Sequence, residues 1–478
     1  MFRKSVTALA VSAALGLCHA AIAATEDDLK DLREQVRQLK ELYQQRIEAL
    51  EKRLQQAEQS AGKAEASASK AETAANQAAV QASSRPSGEN AFNPAVSLIL
   101  NGTYSNLSRD PNGFRINGFV PTMGEVGPPR RGLSLGESEL AISANIDPYF
   151  RGTLFAALAP DNSISVEEGY IQTIGLSAGW TQGLTVKAGR FLSGVGYLNQ
   201  IHPHAWDFAD APLASKAFLG GSLAEDGIQF KWVAPTDLYV DVGLELGRGR
   251  QFPGGAEGGR NKNGFGSSNL FTHVGGDIGT STAWQAGFSY LRTSPQDRAY
   301  TDVDSTGVNV TNSISGRSRL WVMDGILKWA PNGNPTTTSF KLQGEYFRRS
   351  EDGNLVYDTA AASPGTQTGG FASRQSGWYL QGVFQFIPMW RIGYRYDRLN
   401  SGTTTLGLVD SGALAASDFP VLRAYNPSRQ TLMADWSPSE FSRIRLQLAR
   451  DRSRLGATDN QVLLQYIMSL GAHGAHKF

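Results

Sequence analysis

Arg391-x-x-x-Arg395 and Arg443-x-Arg445 carry guanidiniums at even spacings. In an extended strand, even spacing puts side chains on one face. A guanidinium stays charged in any environment and grips carboxylate or phosphate in a planar fork. The chemistry on offer is recognition of anionic groups. Taking each strand's polar face as the inner one adds Arg151, Lys187, Lys231, Lys328 and Lys341 to the bases. The same rule turns Glu137, Glu139, Asp241, Glu245, Asp324, Glu345, Asp397 and Asp435 inward. Rings of one sign select ions; this mixed wall instead implies a transverse field that orients dipolar solutes. The long segment 194–224 contributes His202, His204, Asp207, Asp210 and Lys216 but no arginine.

Imidazole binds zinc and copper, and His202-x-His204 and His473-x-x-His476 are close pairs. Neither pair has an evident carboxylate-plus-histidine set in the sequence around it. No residue is therefore assigned to a metal and no cofactor is expected. A metal-uptake channel working through these pairs stays open as an alternative. No G-x-S-x-G elbow, Walker loop or H-E-x-x-H is present. His273, with Asp277 and Ser267, is the one arrangement that resembles a hydrolase site, and the expectation is no enzyme.

These side chains need strands to hold them. Residues 96 to 470 divide at turn signals into sixteen segments of alternating apolar and polar residues. In Trp378-Tyr379-Leu380-Gln381-Gly382-Val383-Phe384-Gln385-Phe386, the residues Trp378, Leu380, Phe384 and Phe386 share a face opposite Tyr379, Gln381 and Gln385. The segments are 96–108, 133–146, 149–159, 164–174, 183–193, 225–234, 237–248, 268–278, 282–293, 317–330, 337–349, 375–387, 390–399, 427–437, 441–452 and 460–470. Gaps alternate between tight and long, as in barrels with short periplasmic turns and long outer loops. An oily outside and a polar inside is the arrangement a water-filled barrel in lipid requires. The fold class expected is an all-β transmembrane barrel of 16 antiparallel strands, preceded by a periplasmic α-helical coiled coil. Tyr149, Phe150, Trp232, Tyr239, Trp284, Trp321, Trp329, Trp378, Trp390 and Trp436 fall near segment ends, where interfacial aromatic girdles belong.

The mean hydropathy of -0.29 argues against a helical membrane protein. Arg3-Lys4, an apolar stretch and Ala21-Ile22-Ala23 read as a signal peptide over 1–23, which contains the lone Cys18. A lipoprotein reading of Cys18 meets a bulky Leu17 where a small residue is wanted. Without that cysteine, disulfides, thiolate metal sites and cysteine nucleophiles are excluded. Apolar or small residues repeat at alternating three and four steps through 25–84, from Leu29 to Ala82, with one stutter at Leu39-Tyr43-Ile47. That is a coiled-coil pattern; a single solvated helix or an Ala-rich linker is the other reading. Residues 85–94 form a linker, and 95–478 the barrel. Charge is balanced, at 45 basic and 44 acidic residues, so no nucleic-acid partner is indicated. From Pro86 onward 26 arginines outnumber 7 lysines, which suits charges held rigidly along a wall.

The barrel region resembles the phosphate-selective porin O/P superfamily, especially its dicarboxylate-type members with an N-terminal coiled coil. The resemblance rests on Gly132-Leu133-Ser134-Leu135-Gly136-Glu137-Ser138-Glu139-Leu140, Glu167-Glu168-Gly169-Tyr170-Ile171 and Val186-Lys187-Ala188-Gly189-Arg190-Phe191. It implies a homotrimer of sixteen-stranded barrels, each narrowed by an inward-folded loop. The segment 194–224 follows the fifth strand, where such a loop belongs. Its lack of clustered bases departs from the phosphate-selective pattern. The expected function is an outer-membrane porin for passive diffusion of small hydrophilic, including anionic, solutes, with outer-membrane lipid and peptidoglycan as neighbours. A structural tether between outer membrane and cell wall, with incidental conductance, is the competing reading.

Overall fold

The computed structural model describes residues 94–471, apart from 123–125, 160, 175, 177–178 and 256–262, together with isolated positions between Glu34 and Lys52. Those isolated positions are helical, and Arg37 lies 2.8 Å from Glu34 one turn away. The leader, the rest of the coiled-coil segment, most of the linker, His473, His476 and Phe478 lie outside the described residues.

Among the described residues from 94 onward, the chain forms one antiparallel sheet of 18 strands. They are β1 (Ala95–Leu107), β2 (Gly132–Leu135), β3 (Ser138–Asn145), β4 (Phe150–Leu158), β5 (Ile164–Thr173), β6 (Leu184–Leu192), β7 (Ala224–Val233), β8 (Tyr239–Gly247) and β9 (Ser267–Ile278). After these come β10 (Thr282–Thr293), β11 (Arg298–Val303), β12 (Asn309–Trp329), β13 (Ser339–Tyr357), β14 (Gln367–Ile387), β15 (Trp390–Leu406), β16 (Ser428–Ser439), β17 (Ser442–Arg452) and β18 (Asp459–Gly471). β2 and β3 pair with successive stretches of β1 and make one stave. β10 and β11 do the same along β12. The 18 strands therefore make sixteen staves, and β1 closes the ring by pairing with β18 from Ser97–Gly471 to Leu107–Gln461.

Period-two sequence explains which way each side chain points. On β14, Leu380 is 48% exposed and its neighbour Gln381 3%. Trp321, Met323, Leu342, Tyr346, Tyr394, Leu432, Leu446 and Leu464 join Leu380 on the outer surface. Amides and charges such as Gln343, Glu345, Arg395, Asp435, Arg445 and Gln465 are buried inside. A soluble sandwich would do the reverse. All sixteen expected segments coincide with staves.

The structure departs from expectation at the ends opposite the tight turns. β12 to β15 run beyond the expected segments, and β11 is an added short strand. On β13 the outward residues change from Leu342 and Tyr346 to Arg348, Asp352 and Asn354, whereas inward Leu355 and Tyr357 are buried. The polarity of the alternation inverts there. Above that level the barrel is an ordinary water-exposed sheet around its own apolar core of Tyr300, Val310, Ile314, Leu355, Tyr357, Phe371 and Phe419. Tyr239 also departs from the aromatic girdle. Its hydroxyl donates to Asp241 two residues on, at 2.6 Å, so the ring lies on the lumen side.

Candidate functional site: the inward segment and the charged wall

β6 ends at Leu192 and β7 begins at Ala224; the segment between them folds into the lumen. Asn199 clasps its two ends together, donating to the carbonyls of Ser193 at 2.8 Å and Leu223 at 2.9 Å. Its Oδ1 accepts from the Leu223 amide at 2.6 Å. Wall carboxylates hold the entry. Glu345 accepts from the amides of Tyr197 and Leu198, at 2.6 and 2.9 Å, and Glu245 from that of Gly194 at 2.7 Å. The short helix Leu213–Leu219 stops at Gly220, whose φ of 73° suits a residue without Cβ. Leu213, Ala217 and Phe218 pack with Leu320, Val322, Phe347 and Leu399 of the wall and with Phe119 of the 108–131 loop. Phe218 lies stacked 5.7 Å from Phe347. Burial of this apolar face draws the segment inward.

Two aspartates on the segment meet the wall's bases. Asp207 lies 2.8 Å from Lys341 and 3.1 Å from Arg391, which also pairs with Asp435 at 2.6 Å. Asp210 lies 3.1 Å from Arg395 and 3.0 Å from Lys216, and it pairs with Arg429. Burial would raise the Asp210 carboxyl, but Arg429, Lys216 and Arg395 outweigh it and hold it well below 3.8. Asp207 is lowered for the same reason, with Lys341 and Arg391 overcoming its burial. Burial lowers the Lys216 ammonium, with Asp210 opposing. Arg445 donates to the Trp206 carbonyl at 2.9 Å, Arg443 donates to that of His204, and Asp397 accepts the Leu213 amide at 2.9 Å. Five bases of the expected wall, Lys341, Arg391, Arg395, Arg443 and Arg445, thus engage one segment, as do the expected carboxylates Glu245, Glu345 and Asp397.

The other expected residues lie elsewhere on the wall. Lys231 and Asp241 pair at 2.7 Å, and Asp241 also meets His273 at 2.8 Å. Arg151 donates to Ser143 at 2.8 Å. Lys187 lies 4.4 Å from the centre of the Tyr170 ring. Glu137 occupies the break between β2 and β3 and is half-buried. His202 and His204 lie against Glu139: the His202 Nδ1 is 2.9 Å and the His204 Nδ1 3.5 Å from its Oε2. Glu167 and Glu168 complete the surroundings of His202, at 3.3 and 2.8 Å. No such carboxylate-plus-histidine set is evident in the sequence around the pair; the fold brings these side chains together. The glutamates come from β3 and β5, some 34 positions or more away in sequence. The hydrolase-like trio does not assemble. His273 and Ser267 are six residues apart on β9, which is roughly 20 Å of strand.

Sequence reasoning missed Arg429, Arg349 and Gln447, all buried on the inner face. The signal was available, because Arg429 lies an even number of residues from Asp435, and Arg349 from Glu345. Toward the tight turns, below the segment, a cavity of ≈ 640 Å³ is lined by Lys328, Lys341, Arg391 and Gln385 with turn residues Thr280, Ser281 and Pro335.

No family model matches this sequence. An uncharacterized protein of Aquifex aeolicus (strain VF5) is 30% identical over 418 residues, covering 82% of this chain and 81% of that protein. Among solved structures, the loop L8 deletion mutant of OmpT, an outer membrane protein of Vibrio cholerae, aligns with a TM-score of 0.48 at 10% identity, over 79% of this chain and 99% of that one. The outer membrane channel DcaP of Acinetobacter baumannii aligns at 0.44 and 12% identity, over 79% and 97%. An anion-selective porin from Comamonas acidovorans aligns at 0.42 and 9% identity, over 79% and 99%.

Proposed function

This chain belongs to the same family as the uncharacterized protein of Aquifex aeolicus, and from the barrel's geometry we propose that it is an outer-membrane porin. Small hydrophilic solutes diffuse passively past the inward segment, with no covalent chemistry. One observation carries this reading: a closed barrel bears an apolar outer band while its inner face buries charged side chains in pairs. A water-soluble protein has no use for that inversion, and lipid demands it.

On this reading solutes pass beside the inward segment, whose Asp207 and Asp210 are in direct contact with Lys341, Arg391, Arg395 and Arg429. The cavity on the turn side, where Lys328, Lys341 and Arg391 outnumber Asp277, favours anionic ones. On this reading Arg151, Lys187, Lys231, Arg443 and Glu137 complete the lining, with Arg445, Glu139, Asp241 and Asp397 buried behind it. The motifs at 132–140, 167–171 and 186–191 support membership of the phosphate-selective porin O/P superfamily. On this reading the protein is a homotrimer whose N-terminal coiled coil stands in the periplasm and reaches towards peptidoglycan. Liposome swelling tests the proposal: vesicles carrying the protein swell in isotonic solutions of small sugars or dicarboxylates, and vesicles that stay impermeable refute it.

A second reading is favoured by the apolar cluster inside the lumen, where the inward segment packs on Leu320, Val322 and Phe347. A barrel sealed by that cluster would serve as a structural anchor. It predicts no permeation of any solute, together with retention of the protein on isolated cell-wall sacculi.

A further inference from the structure

Where the inward segment touches β3 and β5, His202 meets two glutamates distant from it in sequence. His202 Nδ1 lies 2.9 Å from Glu139 Oε2 and 3.3 Å from Glu167 Oε2, and His204 Nδ1 lies 3.5 Å from Glu139 Oε2. We propose that His202, Glu139 and Glu167 bind a divalent transition-metal ion, with zinc the best match, that latches the inward segment to the barrel wall.

The spacings carry the first argument. Zinc bonds nitrogen and carboxylate oxygen at about 2.0–2.2 Å, so its ligand atoms stand roughly 2.9 Å apart at right angles and about 3.4 Å apart at tetrahedral ones. The His202–Glu139 and His202–Glu167 separations, 2.9 and 3.3 Å, fall within that range. The second argument is polar atoms without partners. Glu139 is 4% exposed, yet its Oε1, the Glu167 Oε2 and the His202 Nδ1 are all buried and make no hydrogen bond. The close approach of His202 to both carboxylates thus lacks the directionality of a proton shared between them.

Charge points the same way. Glu139, Glu167 and Glu168 surround one imidazole, with Lys187 acting on Glu168. A neutral imidazole leaves an excess of two negative charges, which one divalent ion cancels. Buried charge of that size is costly unless compensated.

The surroundings of His202 match those of a metal-bound histidine, which donates its second ring N–H to a carboxylate that fixes its tautomer. Here the His202 Nε2 lies 2.8 Å from Glu168 Oε1, and Glu168 Oε2 is itself held by the Leu192 amide at 2.8 Å. Phe155 lies 4.5 Å from the imidazole and fixes its plane. Imidazole with carboxylate suits zinc better than calcium or magnesium, which prefer all-oxygen shells. The site stands apart from the question of conductance, since a sealed barrel could hold the ion equally well.

The test uses the full chain purified in detergent, stripped with EDTA, then titrated with zinc chloride by calorimetry and counted by elemental analysis. One zinc per chain is expected. Glu167→Gln and His202→Gln should each weaken binding more than tenfold, and Glu168→Gln on the order of 10–100-fold. Paired His473→Gln and His476→Gln should leave it unchanged. Heat-dependent electrophoretic mobility verifies that each variant retains the barrel. Cobalt(II) added to the wild-type protein gives a readout that needs no variant, with d–d bands shifted from those of the aqueous ion. A wild-type protein that takes up no stoichiometric zinc and leaves the cobalt spectrum aqueous overturns the proposal. So does binding that disappears with His473 and His476.

Discussion

Asp210 on the inward segment and Arg429 on β16 form an ion pair although 219 positions separate them. Arg395 and Lys216 share the same carboxylate, and Gln447 donates to it at 3.0 Å. One aspartate therefore compensates several buried cations. Asp210→Ala leaves Arg395 and Arg429 in the lumen without it. Removing one partner of a buried pair costs about 3–5 kcal/mol. Asp397 and Asp451 remain near these arginines, so the low end of that range is expected. Thermal unfolding in detergent reads the loss. An unchanged melting temperature would contradict the docked position of the segment.

The same pair sets a pH dependence. Asp207 and Asp210 have carboxyls held below 3.8 in the folded protein. A group lowered on folding adds stability above its unfolded value, and that stability is lost as pH falls through the folded one. The segment should stay docked from pH 7 down to about 4 and loosen only in stronger acid. Limited proteolysis within 194–224 by an acid protease, followed from pH 5 to pH 2, measures this. Cleavage that begins at pH 5 would show that these ion pairs do not hold the segment.

The outer band makes a prediction about lipid. Leu380 lies between Trp378 and Phe384 on the exposed face of β14, whereas Asn354 points outward on β13 above the inversion of polarity. Leu380→Arg should destabilise the barrel by about 2–4 kcal/mol in bilayers, as for an arginine near the midplane. Asn354→Arg should change little. Urea unfolding from liposomes compares them, and equal effects would misplace the band.

The staves were legible because lipid enforces a strict alternation on them, and β14 shows it residue by residue. The upper reaches of β12 to β15 were not, because outward Arg348 and Asp352 with inward Leu355 look like a soluble protein's strand. The inward bases were legible by parity wherever a strand had a clear polar face, and Arg429 would have been found by extending it. Their pairing with Asp207 and Asp210 was not. Asp207 and Asp210 lie on a segment without periodicity, and only three-dimensional packing brings them to Lys341 and Arg395. The glutamates around His202 were visible as motifs, but nothing in one dimension ties β3 and β5 to the inward segment.

Charge selectivity should follow the pairs. Arg391→Ala combined with Arg395→Ala removes two cations opposite Asp207 and Asp210 and should move the reversal potential in a salt gradient toward cation preference. Asp210→Asn should move it toward anions. Identical reversal potentials in all three proteins would remove this charged wall from the conduction path.

The most direct measurement is single-channel recording of the wild-type protein in planar bilayers. A porin gives discrete open steps whose conductance grows with salt concentration and persists without voltage-driven opening. Bilayers that receive correctly folded protein and show no steps would mean that the lumen is sealed, and would contradict passive diffusion through this barrel.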